Sequence, residues 1–156
     1  MGNENQNDLW SIVEGLTDEE LNKKGQDGSW SIAQILEHLL LTDLYVLKEM
    51  EENLKKIEAK EKPIHYTVNR SHKVQAPKEL EPSNEYQTLA SLKDKMTVSR
   101  LALENKIRQF SEDDLTEHSL HHFIFGMVSL KQWLPFINYH EKRHIEQIQE
   151  IKRTLV

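Results

Sequence analysis

Apolar residues recur every three or four positions along several stretches of the chain, which is the period of an amphipathic α-helix. The longest stretch runs from Ile32 to Ile57, and a second runs from Tyr86 to Phe110. A third runs from Leu130 to Leu155, and a short one spans Leu9 to Leu16. The pattern predicts three long helices and one shorter helix, with no segment typical of a β-strand. The most economical fold is all-α: an antiparallel four-helix bundle with one long crossover loop.

Residues that can cap helices precede the predicted helices or further helical turns: Thr17, Ser29 or Ser31, Ser83, Ser111 and Ser129. Gln132 stands three residues after Ser129, so the two predict a capping box for the last helix. Pro135 follows closely and should either bend that helix or mark its true first turn.

Two segments interrupt the helical pattern. Residues 60–82 contain Pro63, Pro77 and Pro82 and have no helical period, which predicts the crossover loop. Loops of this length inside a compact domain are often functional. Residues 115–128 predict an irregular link rich in histidine and phenylalanine, closed by Gly126.

Length and composition narrow the class of protein. The 156 residues fit a single domain spanning 1–156. Lysine and arginine number 20 against 26 acidic residues, a net charge of −6, and the few basic clusters are interleaved with glutamate, so we expect no nucleic-acid partner. The absence of cysteine excludes disulfides, thiolate ligands and a cysteine nucleophile. No apolar run approaches a membrane span and the start is polar, so we expect a soluble cytoplasmic protein. A homodimer paired along exposed helices stays open.

Two histidines near the carboxyl end, His140 and His144, carry the strongest chemical signal. Residues four apart on a helix lie about 40° apart around its axis, one turn above the other. The apolar pattern places His144 within the inward face and His140 at its border. Buried neutral imidazoles each need a polar partner, and one metal ion supplies an acceptor of electron pairs to both. The pair predicts two ligands of a single metal site.

The same segment matches His-Glu-x-x-His, in which zinc proteases use the glutamate, here Glu141, as a general base. Those proteases take a third ligand downstream of the pair, but only twelve residues of the same helix follow His144. The third ligand must therefore come from upstream. His38, at the rim of the inward face of a long helix, is the best candidate. Competing histidines lie in less regular segments: His121, His122, His65, His72 and His118.

Two longer motifs resemble the DinB/YfiT-like family of metal-binding four-helix proteins, which includes bacillithiol and mycothiol S-transferases. Trp30-Ser-Ile-Ala-Gln-Ile-Leu-Glu-His38-Leu is similar to the opening of that family's second helix. Gly126-Met-Val-Ser-Leu-Lys-Gln-Trp133, leading to His140-Glu-Lys-Arg-His144-Ile-Glu-Gln147-Ile, is similar to its ending. The resemblance spans essentially the whole domain and implies the metal triad His38, His140 and His144. Phe123 departs from the proline that relatives often carry after the histidine matching His122.

A three-histidine site leaves positions open for water or substrate, which is typical of catalytic sites. Imidazole ligands suit a divalent transition metal, with zinc and nickel as the leading candidates and cobalt and iron also compatible. The resemblance implies a metal-dependent S-transferase, in which the ion activates a low-molecular-weight thiol such as bacillithiol toward a small electrophilic substrate. Metal-assisted hydrolysis, with a metal-bound water as nucleophile, and a non-catalytic ligand-binding bundle are the alternatives.

The remaining candidates surround this triad in sequence. Glu141 is the candidate catalytic residue, as a base or by orienting a ligand imidazole; an ion pair with Lys142 or with a neighbouring helix is its structural alternative. Gln147, His122 and Trp30 are candidates for binding the cofactor.

Overall fold

The structure, a computed structural model, describes residues 4–71 and 74–155. Within these ranges the helices are α1 (Glu4–Val13), α2 (Asp18–Asn22), α3 (Ile32–Glu52), α4 (Leu89–Ile107), α5 (Glu112–Glu117) and α6 (Leu130–Thr154). The strands are β1 (Ser119–His122) and β2 (Gly126–Ser129), and short 3-10 turns occupy Gln26–Gly28, Ile64–Val68 and Lys78–Leu80. The longer helices α1, α3, α4 and α6 form the predicted all-α four-helix bundle.

The bundle core is divided along its length into two apolar clusters. Ile35 and Ile148 belong to one, and Val46 and Ile137 belong to the other. Between the clusters, α3, α4 and α6 contribute buried or half-buried polar side chains. We call this set the polar layer: His38, Thr42, Asp43, Ser99, Arg100, His140, Glu141 and His144. Because burying a polar group without a partner costs free energy, the partners of each member decide what the layer does.

A β-hairpin replaces the irregular link predicted for residues 115–128. β1 and β2 pair antiparallel, with Ser119 opposite Ser129 and His122 opposite Gly126. Gly126 has a φ of 74°, a conformation that glycine adopts at little cost. The prediction of no strand is wrong here because strands of four residues are too short to show a clear alternation in sequence.

The longest periodic stretch, Ile32 to Ile57, forms a helix that ends earlier than the pattern predicts. α3 ends at Glu52, and Ile57 beyond it is 46% exposed. The backbone N–H of Lys55 donates to the carbonyl of Ser119 at 3.1 Å, which draws this segment to the edge of β1. At the start of α3, Ser31 forms a capping box with Gln34.

The helix predicted from the Tyr86 to Phe110 stretch, α4, begins later than predicted, at Leu89 with Thr88 as its N-cap. Ser83, the predicted cap, donates its N–H and its hydroxyl to the carboxylate of Glu37, each at 3.1 Å. That contact holds Ser83 outside the helix, and Tyr86 is exposed where the pattern placed an apolar contact.

The predicted capping residues Thr17, Ser111 and Ser129 are confirmed as N-caps of α2, α5 and α6. The box at Ser129 is incomplete, because the Gln132 side chain binds the Lys62 backbone instead of the cap. Pro135 lies inside α6 and does not mark its start.

The described parts of the crossover, residues 53–71 and 74–88, are held against the bundle by side chains of α3 and α6. From α6, Gln132 binds the Lys62 backbone and Arg143 donates to the carbonyls of Thr67 and Asn69. From α3, His38 bonds to the carbonyl of Leu80. Across the part of the chain that the structure describes, helices long and apolar enough to cross a membrane are absent.

Candidate metal centre

Three histidines from two helices meet in the polar layer. α3 contributes His38, and α6 contributes His140 and His144, one turn apart. The Nε2 atom of His140 lies 3.1 Å from that of His38 and 3.2 Å from that of His144. The ligand nitrogens of all three lie within 4.8 Å of one another. The structure therefore brings together the three histidines singled out from the sequence, which we call the histidine cluster.

The outer ring nitrogens of two of these histidines face hydrogen-bond acceptors. His38 Nδ1 lies 2.8 Å from the Leu80 carbonyl, and His144 Nδ1 lies 2.8 Å from Gln147 Oε1. A neutral imidazole that donates from Nδ1 has only a lone pair at Nε2. Both lone pairs face His140 Nε2, which can offer one proton at most. At least one nitrogen of the cluster therefore lacks a donor, whereas one cation would accept electron pairs from all three.

Burial keeps these imidazoles neutral. It lowers the pKa of His38, lowers that of His140 well below 6.5, and lowers that of His144 to about 3. Neighbouring histidines lower the pKa of His140 and His144 further, because two imidazolium charges side by side repel. Metal ligation requires neutral imidazole, so the cluster is ready to bind an ion without first releasing protons.

Glu141 belongs to a group of buried charged side chains that is separate from the neutral histidine cluster. Its side chain is 1% exposed, and its Oε1 accepts a hydrogen bond from Arg100 Nη2 on α4. The same guanidinium donates to both oxygens of Asp43 on α3, from Nε at 3.2 Å and from Nη2 at 3.4 Å. We call Asp43, Arg100 and Glu141 the ion triad. An ion pair with a neighbouring helix, the structural alternative for Glu141, is thus present, and its catalytic role stays a prediction.

Gln147 and Trp30 each contact a member of the histidine cluster. Gln147 Oε1 accepts from His144 Nδ1, which fixes the ring so that Nε2 faces the other histidines. The Trp30 ring centroid lies 5.1 Å from that of His38. Both residues border the site, and their predicted contact with a cofactor stays a prediction.

His122, on β1, is a buried donor near the histidine cluster. Its Nδ1 accepts from the backbone N–H groups of Ile124 at 3.0 Å and Phe125 at 3.3 Å, so the ring proton is on Nε2. Nε2 is buried and has no hydrogen-bond partner within residues 4–71 and 74–155. Burial, with a smaller effect of His121, lowers the pKa of His122 to about 4. The Phe136 ring separates it from His140, with centroid distances of 4.5 and 5.6 Å.

The competing histidines that the structure describes lie outside the cluster. His121 is exposed on the hairpin, and His65 is exposed and packs against Tyr66. His118 Nδ1 lies 2.9 Å from the carbonyl of Asp114, within its own turn. His72 lies outside the described residues.

Sequence reasoning missed Asp43 and Arg100. A signal was present: at 100° per residue, Asp43 lies about 20° from Ile32, and Arg100 lies about 20° from Leu89. Both charges therefore stand at the centre of an apolar stripe. Opposite charges in such positions on two helices predict a buried ion pair.

Comparison with known proteins gives concordant results. The sequence matches the DinB superfamily over residues 2–148. It is 35% identical over 156 residues to the uncharacterized protein YuaE of Bacillus subtilis (strain 168), covering 98% of this chain and 96% of that protein. The fold is similar to that of YfiT from Bacillus subtilis, described as a probable metal-dependent hydrolase with an unusual four-helix bundle topology. The TM-score is 0.63 at 17% identity, covering 97% of this chain and 82% of that chain. The chain belongs to the DinB superfamily.

Proposed function

We propose that the protein is a metal-dependent enzyme that transfers a low-molecular-weight thiol to a small electrophile. His38, His140 and His144 would hold a divalent transition metal, zinc or nickel, through their Nε2 atoms. The observation that carries the proposal is the convergence of three neutral ring nitrogens at 3.1 and 3.2 Å with too few protons to satisfy one another. A core that served stability alone would have aliphatic side chains at these three positions.

The donor set favours activation of a bound nucleophile. Three neutral ligands leave the charge of a divalent ion undiminished, and such an ion lowers the pKa of a thiol or water that it binds. Histidine-only ligation with open positions is typical of catalytic sites.

The chain's own groups favour a thiol over water as the nucleophile. Hydrolysis usually needs a general base, and the candidate from the sequence, Glu141, has Oε1 engaged by Arg100 and Oε2 buried without a hydrogen-bond partner among the described residues. A thiol can release its proton to solvent. Its sulfur then forms a bond to the electrophilic carbon as the leaving group departs with the bonding electron pair.

His122 and Trp30 are the residues that would contact and orient the ligand. The buried Nε2–H of His122 is a donor without a partner among the described residues, so it suits an oxygen acceptor of the bound molecule. The Trp30 ring beside His38 offers an apolar face. Gln147 would contribute indirectly by orienting His144.

Metal analysis followed by a thiol assay tests the proposal. The purified protein, loaded with zinc or nickel, is mixed with bacillithiol or cysteine and with monobromobimane, and the rate above the uncatalysed reaction is measured. We expect metal-dependent acceleration, lost in His38→Ala and retained in His65→Ala, a histidine outside the cluster. A wild-type protein that binds no metal, or His38→Ala with unchanged metal content, contradicts the site.

Hydrolysis is the second candidate, favoured by the description of YfiT as a probable metal-dependent hydrolase. Release of p-nitrophenol from an ester by the metal-loaded protein, in the absence of thiol, would support it. Metal-dependent ester hydrolysis without any thiol-dependent reaction would replace the transferase proposal.

A further inference from the structure

The ion triad joins the same two helices that carry the histidine cluster. Asp43 follows His38 by five residues on α3, and Glu141 directly follows His140 on α6. Arg100 on α4 bonds to both carboxylates, although α4 contributes no histidine to the cluster. The three charged side chains are 1–3% exposed. The polar layer thus contains two separate connections between α3 and α6.

Helix geometry makes these connections complementary. Asp43 is rotated about 140° from His38, and Glu141 about 100° from His140, so the ion triad and the cluster occupy different faces. The displacement along the helix axis is about 7.5 Å on α3 and about 1.5 Å on α6. A link on a second face, level with the histidines on α6 and more than one turn away from His38 on α3, opposes both rotation and sliding of one helix against the other.

The hydrogen-bond geometry of the ion triad restricts how α3 and α6 can lie against each other. Arg100 presents a planar fork, with Nε and Nη2 on Asp43 and Nη2 also on Glu141. Apolar side chains pack in several registers at similar cost, whereas a buried carboxylate displaced from its guanidinium is left uncompensated. The ion triad therefore accepts one relative placement of α3 and α6.

We propose that the ion triad is a positioning device for the histidine cluster. By fixing α6 against α3, it sets the separation between His38 and the His140–His144 pair, and through that separation the affinity for metal. This inference rests on the proposed metal site. Asp43, Arg100 and Glu141 would act through the histidines without contacting the ion.

The test measures metal affinity separately from stability, using the full chain. The main variant replaces all three charges at similar volume, as Asp43→Asn, Arg100→Met and Glu141→Gln together. Zinc affinity is measured by competition with a chromophoric chelator, and folding by circular dichroism and urea unfolding. Arg100→Lys keeps the charge without the fork, and Arg108→Met makes the same type of change at the exposed C-cap of α4.

We expect the triple variant to fold and to bind zinc about 10- to 100-fold more weakly, the range typical of groups that orient metal ligands. Arg100→Lys should give a smaller loss, and Arg108→Met should match the unmodified protein. A merely structural role would change the urea midpoint and leave the affinity of the folded protein unaltered. If the triple variant does not fold, the zinc affinity and the urea midpoint of Arg100→Lys are compared with those of the unmodified protein in the same way.

Two negative results are distinguishable. Unmodified protein that binds neither zinc nor nickel overturns the proposed function and this inference with it. Unmodified protein that binds zinc, with a folded triple variant within twofold of its affinity, overturns this inference alone. Where the triple variant does not fold, Arg100→Lys within twofold of the unmodified protein overturns it.

Discussion

The histidine cluster and the ion triad lie in one polar layer and connect the same helices, but they satisfy their polar groups differently. In the ion triad, Arg100 lies between two carboxylates and neutralises much of their charge. In the histidine cluster, three neutral rings present nitrogens to one another with at most one proton between them. The charges of the first group are paired within the chain, although Arg100 Nη1 and Glu141 Oε2 are buried without a hydrogen-bond partner among the described residues. The second group has no charge pairing and leaves at least one ring nitrogen without a donor.

Buried polar groups that are paired with one another hold the fold together. Buried polar groups that are left without a partner are candidates for binding a ligand. A buried ion cluster fails when one member is removed, because the others lose their compensation. A cluster of unsatisfied acceptors loses little stability when one member becomes apolar, but it loses its ligand. Removing one charge of the ion triad should therefore lower stability and, through the placement of the helices, metal affinity as well, whereas removing one histidine should lower metal affinity with little loss of stability.

The largest expected effect is on stability. Arg100→Met leaves Asp43 and Glu141 buried without their cation, and we expect the free energy of unfolding to fall by about 3–5 kcal/mol. Equilibrium urea unfolding followed by far-UV circular dichroism measures it. Arg108→Met, at the exposed C-cap of α4, should change it by less than about 0.5 kcal/mol. A loss below about 1 kcal/mol for Arg100→Met would contradict the conclusion that the ion triad holds the fold.

His140→Leu should show the opposite profile. Four-ligand structural zinc sites gain about 10–16 kcal/mol, so loss of one ligand of three should weaken zinc binding at least about 100-fold. The metal-free protein should keep its stability or gain about 1–3 kcal/mol, because an unsatisfied buried group is removed. Zinc titration and urea unfolding with excess chelator give the two values. Lower stability of the metal-free protein with unchanged zinc affinity would indicate that His140 holds the fold and does not bind the ion.

The pH dependence of the metal-free protein sharpens the contrast. The pKa of His144 is about 3 in the folded state against 6.5 unfolded, so the unfolded chain takes the proton first as pH falls. Stability present above pH 6.5 is therefore lost toward pH 3, by about 1.4 kcal/mol per unit for such a histidine. Asp43 has the opposite sign, because burial raises its pKa above 3.8. Urea unfolding at pH 7, 6 and 5 should show a shallower slope for His144→Leu than for the unmodified protein.

The smallest expected effect concerns the orientation of one ligand. Gln147→Leu removes the acceptor from His144 Nδ1 and frees the ring to turn, so zinc affinity should fall about tenfold. Gln147→Glu keeps an acceptor at that position and should retain most of the affinity. Competition with a chromophoric chelator measures both variants, and equal losses in the two would argue against an orienting role.

Much of the fold and the histidine cluster could be predicted because helical periodicity is a local signal. It indicated the long helices and placed His144 on an inward face. The ion triad carried the same signal: Asp43 and Arg100 stand about 20° from the reference apolar residue of their helices, and Glu141 about 40° from Ile137. Charges of both signs in three apolar stripes predict a buried ion cluster.

The features that sequence reasoning misplaced depend on distant partners. α4 starts at Leu89 because Glu37 holds Ser83 outside the helix, and α3 ends at Glu52 where Lys55 turns to pair with Ser119. The partners are 46 and 64 residues away in sequence. Local rules for capping and periodicity contain no information about contacts at such separations.

The hydrogen bond from His38 Nδ1 to the Leu80 carbonyl gives the crossover an energetic connection to the metal centre. Metal bound at the other nitrogen of His38 favours the ring orientation that keeps this bond, so it should also protect the crossover from proteolysis. Linkage makes that effect reciprocal: whatever steadies the Leu80 segment raises the affinity for the ion by the same factor.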